Sequence, residues 1–227
     1  MANPAVLFDI DGTLVDTNYL HVHAWHRAFA EVNVSVESWR IHHRIGMDGG
    51  SLLSELLPDE SDDVTSRAKD LHQRFYKETS GLIRPLSAGR DLLDAVADMG
   101  LQVVLATSAP EDELAILREV LDREDVVSAV TSSEDVETAK PRPDIVEVAL
   151  ERAGVGADRA VFVGDTVWDI RAAARAGVEC IGFRSGGIGE LELSREGAVT
   201  VFDDPRALVD GLSDSPIGRL AESASDG

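Results

Sequence analysis

The stretch Ala5-Val6-Leu7-Phe8-Asp9-Ile10-Asp11-Gly12-Thr13 constrains this chain more than any other. A short apolar run rich in β-formers reads as a buried strand of a parallel sheet, and polar residues begin where that strand must end. Asp9 and Asp11 stand two residues apart at that end, and Gly12 relaxes the backbone for a turn. Carboxylates held that close either share a proton or share a cation. An ordinary Asp-Gly turn after a strand would use the same residues. A calcium loop counted from Asp9 would not, because Leu14 replaces the glycine of its sixth position and Leu20 the acid of its twelfth.

The chain has 227 residues, enough for one large or two modest domains with a proper core. No apolar run reaches the length of a membrane span, and Asp9 interrupts the first apolar segment before a signal peptide could form. Cys180 is the only cysteine, so no intrachain disulfide forms, and a reduced thiol in the cytoplasm is expected. A formal net charge of −21 speaks against nucleic acid and anionic membranes as partners. It also means that an anionic substrate needs a locally positive site. Lysine is scarce, limited to Lys69, Lys77 and Lys140, so each is a candidate for a placed point charge.

The pattern changes after Thr17. Four helical segments follow with no strand between them: Tyr19 to Glu31, Val36 to Ile45, Gly49 to Leu57 ended by Pro58, and Asp62 to Lys77. Beyond Arg84-Pro85 strands and helices alternate, with strands expected at 101–106, 127–131, 160–163, 179–182 and 199–202. Alternation of this kind predicts an α/β fold, a doubly wound parallel sheet with right-handed crossovers. The expected organisation is a core of residues 1–16 and 85–227, with residues 17–84 inserted as a helical cap after the first strand. The polar tail from Ser213 to Gly227 is expected to fray.

Ligands of such sheets bind beyond the carboxyl ends of the strands. There the chain places Asp9 and Asp11, then Thr107-Ser108 ahead of a helix start, then Lys140-Pro141-Arg142-Pro143, then Gly164-Asp165-Thr166-Val167-Trp168-Asp169. Hydroxyls and free N–H groups at a helix start suit a phosphate, although a pair of helix caps would look the same. The prolines around Arg142 stiffen the segment that carries Lys140. Asp165 and Asp169 are four apart, on one face of an emerging helix turn.

These four segments, in this order, resemble the four motifs of the haloacid dehalogenase superfamily, and the insertion resembles its cap. The resemblance spans residues 5–212 and is nearest to the phosphoglycolate phosphatase and β-phosphoglucomutase branch. It implies a Rossmann-like core and phosphoryl transfer from a small-molecule phosphomonoester. Asp9 is then the nucleophile and Asp11 the acid and base, protonated on substrate arrival through a raised pKa. Thr107 and Lys140 neutralise and orient the phosphoryl oxygens, with Gly12 and Ser108 against the phosphate. Mg2+ is the implied cofactor, held by Asp9, the Asp11 carbonyl and Asp165, with Asp169 acting through water or holding Lys140.

His21 and Trp25 match the mutase spacing, and His21 is a candidate contact to the substrate, with a hydrogen bond from cap to core as the other reading. Yet the loop Ile45-Gly46-Met47-Asp48-Gly49-Gly50 lacks the mutase arginine, and Gly164 stands where the mutase has a glutamate, which favours hydrolysis. Arg44 is the candidate cap contact to the leaving group, and Trp25 reads as cap core. His23 and His26 share a helix face and read as surface residues instead of a metal pair. A phospho-accepting signalling module is the alternative of another class. Such modules carry their acid pair before the nucleophile and have no large insertion after the first strand.

Overall fold

A computed structural model describes residues 2–136 and 140–225 of the chain, leaving Met1, Glu137–Ala139, Asp226 and Gly227 outside. Its centre is a six-stranded parallel sheet of β1 (Ala5–Phe8), β2 (Gln102–Ala106), β3 (Val127–Thr131), β4 (Ala160–Gly164), β5 (Glu179–Phe183) and β6 (Thr200–Phe202). The strand order is β3-β2-β1-β4-β5-β6, that of a doubly wound Rossmann-like sheet.

All four residues of β1 are fully buried, as expected for a central strand covered on both faces. The two-residue side-chain period then divides them between two cores. Val6 and Phe8 face one side with Val103 and Leu105 of β2, while Ala5 and Leu7 face the other with Val104 and Ala106.

Four helices α1 (Asn18–Glu31), α2 (Ser38–His42), α3 (Gly49–Leu56) and α4 (Asp62–Glu78) follow β1 directly. Val22, Ala24, Trp25, Ala28 and Phe29 of α1 are buried, as are Ala68, Leu71 and Phe75 of α4, and these apolar stripes form one continuous core. The remaining helices are α5 (Gly89–Asp98), α6 (Glu111–Leu121), α7 (Asp144–Ala153), α8 (Val167–Arg175), α9 (Glu190–Glu196), α10 (Pro205–Asp210) and α11 (Pro216–Ser225). Apolar residues of α5, α6, α10 and α11 join the core on the Val6 face, and those of α7, α8 and α9 join the core on the Ala5 face.

The chain leaves the sheet and returns to it through two adjacent segments. Asp16 N donates to Arg84 O at 2.9 Å and Leu86 N to Leu14 O at 2.9 Å, so the way out and the way back are stitched together.

Two expectations are corrected. The helix expected over Val36–Ile45 is only the five residues of α2, because its ends are held by tight turns such as Arg44 N to Ile41 O. The tail does not fray from Ser213: Ser215 Oγ accepts from Ile217 N at 3.1 Å and starts α11, which buries Ile217 fully and most of Leu220. Two apolar anchors outweigh a polar composition there.

Candidate active site

The chain order reverses between β1 and β4, and the carboxyl ends of these neighbours open the crevice in which such sheets bind ligands. Asp9 N extends the ladder to Val163 O at 3.0 Å, so the Asp9 backbone is fixed as firmly as the strand itself. Asp165 follows β4 directly and Thr107 follows β2. All three are buried, with Asp165 wholly inaccessible.

Lys140, 1 % exposed, bridges this group. Its Nζ donates to Asp9 Oδ1 at 2.6 Å and lies 2.7 Å from Asp169 Oδ1. Asp169 is oriented by a capping box at the start of α8: its Oδ2 accepts from Thr166 N at 3.0 Å and Thr166 Oγ1 at 2.6 Å. One oxygen thus caps a helix while the other meets the lysine. Burial opposes the Lys140 charge, but Asp169 and Asp9 outweigh it and hold the ammonium more firmly than an exposed lysine.

Asp165 makes no ion pair among the described residues. Oδ1 accepts from Thr13 Oγ1 at 2.8 Å and Oδ2 from Asn18 Nδ2 at 2.8 Å. Burial above all, with the Asp169 and Asp9 charges, pushes its pKa well above the carboxylate range. Burial likewise pushes Asp9 up to about 7, with Asp169 and Asp11 adding to the rise and Lys140 opposing it. Backbone must come close to this carboxylate: a Cβ on Gly186 would stand 1.8 Å from Asp165 Oδ2, and one on Gly12, at φ +74°, 2.5 Å from it.

Asp11 points elsewhere. Thr17 Oγ1 donates to Asp11 Oδ1 at 2.6 Å, and His21 Nε2 lies 3.4 Å from the same oxygen. Thr17 sits at the N-cap of α1 but makes no capping bond there, its hydroxyl being turned to Asp11. The expected raised pKa of Asp11 is corrected. Burial does push it up, but the His21 hydrogen bond and charge, with the Thr17 hydroxyl, hold it below the ordinary value. Burial pushes the His21 pKa down, but the hydrogen bond and charge of Asp11 outweigh it and raise it above the ordinary value. His21 Nδ1 meets Nε2 of buried His72 at 3.2 Å, and burial drives the His72 pKa well down.

A cavity of about 640 Å³ opens from Asp9 and Asp11 toward the helices. His21, Trp25, Thr107 and Ser108 line it. Thr107 Oγ1 accepts from Ala109 N at 3.0 Å, leaving the hydroxyl proton to donate. Trp25 is 3 % exposed, stacked on His72 with ring centroids 4.0 Å apart, so it is both core and wall. Arg44 is not among the lining residues. It pairs with Glu55 and stands over the Trp168 ring at 5.9 Å, which uses its charge away from the cavity. His26 Nδ1 meets Ser38 Oγ at 3.3 Å on the surface.

Thr13 closes the first motif, whereas Asn18, His72, Glu113 and Gly186 belong to the surroundings of the site but carry no motif signal of their own.

Oxygens of Asp9, Asp165 and Asp169 lie within 4.8 Å of one another. An all-oxygen, buried donor set with more negative charge than Lys140 neutralises suits a hard divalent cation such as magnesium. The Asp11 carboxylate stands outside this set.

The sequence pattern of the haloacid dehalogenase-like hydrolases matches residues 6–183. The chain is 28% identical to a phosphoglycolate phosphatase of Pseudomonas putida over 222 residues, covering 94% of this chain and 81% of that one. It is 30% identical to a phosphorylated carbohydrates phosphatase of Thermotoga maritima over 181 residues, covering 78% and 83% respectively. A solved hydrolase from Pseudomonas syringae superposes with a TM-score of 0.89 at 32% identity, covering 93% of this chain and 99% of that one. The chain therefore belongs to the haloacid dehalogenase-like hydrolases and is a phosphatase of that family.

Proposed function

We propose that this phosphatase hydrolyses a small phosphomonoester, with magnesium, through a phosphoryl group carried on Asp9. The observation that carries it is the pairing of Asp9 with Lys140 at 2.6 Å in a buried cluster, beside an Asp11 aimed separately at the cavity. One carboxylate is placed to attack and the other to handle a proton.

An Asp9 oxygen attacks phosphorus, and the bond to the leaving oxygen breaks. The proton held between Asp11 and His21 passes from Asp11 to that oxygen, leaving an alcohol. Asp11 then takes a proton from water as its oxygen attacks phosphorus, and the Asp9–phosphoryl bond breaks to give free phosphate and a restored carboxylate. Lys140 and the Thr107 hydroxyl balance the charge of the transferring group, with Ser108 and Gly12 beside it. Magnesium, held by Asp9, Asp165 and the Asp11 carbonyl, would supply charge neutralisation for a dianion entering an acidic pocket. Asp169 serves mainly to fix Lys140. The paired segments at Leu14–Asp16 and Arg84–Leu86 are hinges on which residues 17–84 move as a cap over a core of residues 1–16 and 85–227.

Hydrolysis is favoured over a mutase reaction because the cap loop at Ile45–Gly50 lacks an arginine and Arg44 is engaged with Glu55. The relatives that act on phosphoglycolate and on phosphorylated carbohydrates support a small-molecule substrate. A cytoplasmic setting suits the single buried thiol of Cys180.

The test is phosphate release from a panel of phosphomonoesters with and without magnesium, with Asp9→Asn as control. Metal-dependent release, lost in the variant, is expected. A requirement for a sugar bisphosphate with no net release would point to the mutase. Undiminished turnover by Asp9→Asn would overturn the mechanism.

A further inference from the structure

Glu113 lies in the first turn of α6, next to Glu111 and Asp112. The helix dipole favours acids in this turn, and it can do so with all of them in water. Glu111 and Asp112 are exposed, and Asp112 pairs with Lys77 of α4. Glu113 instead is 4 % exposed and faces the cavity that contains Asp9 and Asp11. Its carboxylate has neither a hydrogen bond nor an ion pair among the described residues. Helix stability therefore does not account for its position.

An ionised carboxylate only accepts hydrogen bonds, and no neighbouring side chain among the described residues supplies a donor to this one, so its donors must enter the cavity. A substrate can bring them. Hydroxyl groups do so, whereas a second carboxylate would confront Glu113 in surroundings where like charges are poorly screened. Besides His21, which is engaged with Asp11, the basic residues Lys69 and Arg142 line the cavity, but both are exposed. Water screens them, so they attract anions to the mouth without deciding which leaving group is tolerated inside. The remaining polar wall includes Ser51, Gln73 and Ser133, neutral groups able to exchange hydrogen bonds with hydroxyls. The volume of about 640 Å³ falls in the range of pockets for ligands far larger than a two-carbon acid.

We propose that Glu113 is a specificity-determining residue of this site: its carboxylate accepts hydrogen bonds from the hydroxyls of a sugar or polyol phosphate and repels a leaving group that ends in a carboxylate. This rests on the reading of the cavity as the substrate site of a phosphomonoesterase. The chain would then act on sugar phosphates in preference to phosphoglycolate, although relatives of both kinds exist.

The experiment measures kcat/KM of the full-length protein with magnesium for glucose 6-phosphate, sorbitol 6-phosphate, phosphoglycolate and p-nitrophenyl phosphate. The same set is repeated with Glu113→Gln and Glu113→Ala. The parent is expected to favour the polyol substrates over phosphoglycolate, and both variants to lower that ratio by about tenfold or more. Because each ratio is taken within one preparation, a partly misfolded variant does not distort it. An unchanged ratio, including a uniform loss on all four substrates, would overturn the assignment and place Glu113 among the groups that support His21. A parent that prefers phosphoglycolate would overturn it too, while leaving the phosphatase reading intact. Release from none of the four by the parent would overturn both.

Discussion

The side-chain amide of Asn18 donates to Asp165 Oδ2 at 2.8 Å, tying the first residue of α1 to the end of β4. The contact joins the helical insertion to the carboxylate best placed to meet a cation. Its Nδ2 also approaches Gly186 O at 3.5 Å, so Asn18 spans two loops of the core. The helical insertion and the acidic cluster of Asp9, Asp165 and Asp169 are thereby linked through one amide.

Replacing Asn18 with Ala should weaken magnesium activation by about 10- to 100-fold, the usual penalty for losing a group that orients a ligand. Titrating phosphatase activity with magnesium checks this. A half-saturating concentration equal to that of the parent would show that Thr13, at 2.8 Å from the other oxygen, fixes Asp165 alone.

Lys140 meets Asp9 and Asp169 in a site with almost no solvent access, and removing it leaves both carboxylates uncompensated. Lys140→Met should cost about 3–5 kcal/mol of stability in chelator at pH 8, as for other broken buried pairs. Magnesium should restore much of the loss without restoring the rate, because a cation replaces the charge but not the donor beside the phosphoryl group. Denaturant unfolding with and without the metal separates the two effects.

Glu113 gives a pH signature of its own. Burial foremost, with Asp11 and Asp112, raises its pKa from 4.5 to about 7, against the pull of His21 and Lys77. The folded state therefore holds this proton where the unfolded chain has released it. Stability from this group is complete below pH 4.5 and is lost as pH rises to about 7. Glu113→Gln should remove that slope and leave the protein about 1–3 kcal/mol more stable than the parent at pH 8. Unfolding of both proteins from pH 4 to 8 checks this; parallel curves would refute it.

Much of the site was legible because its residues lie at strand ends. Asp9, Thr107 and Asp165 each follow an apolar run, and parallel strands carry their ends to one edge, while Lys140 opens the segment stiffened by Pro141 and Pro143. The Thr166–Asp169 spacing marks both a helix cap and a lysine anchor, two uses of one pattern. Glu113 and His72 were not legible. Each is one polar residue on an amphipathic helix, and whether it faces water or a cavity depends on how the helices pack. Arg44 failed for the same reason: its neighbour in space, Glu55, lies a helix turn and a loop away. The protonation of Asp11 could not be read either, since it is set by His21 across the boundary between core and insertion.

Thr17 offers the sharpest test of that boundary. A threonine at an N-cap normally stabilises its helix by accepting from the first turn, and losing it costs about 1 kcal/mol. Here the hydroxyl donates to Asp11 at 2.6 Å and makes no capping bond to α1. Thr17→Val keeps the shape, so the helix should lose less than about 0.5 kcal/mol. Asp11, however, loses a donor that favours its charged form and keeps His21 and the more distant Lys140 charge. Its pKa should rise, and the alkaline limb of the kcat/KM profile should move to higher pH, because the acid needed in the first step stays protonated over a wider range. A variant with an unmoved pH profile and a clear loss of thermal stability would show that Thr17 serves the helix after all.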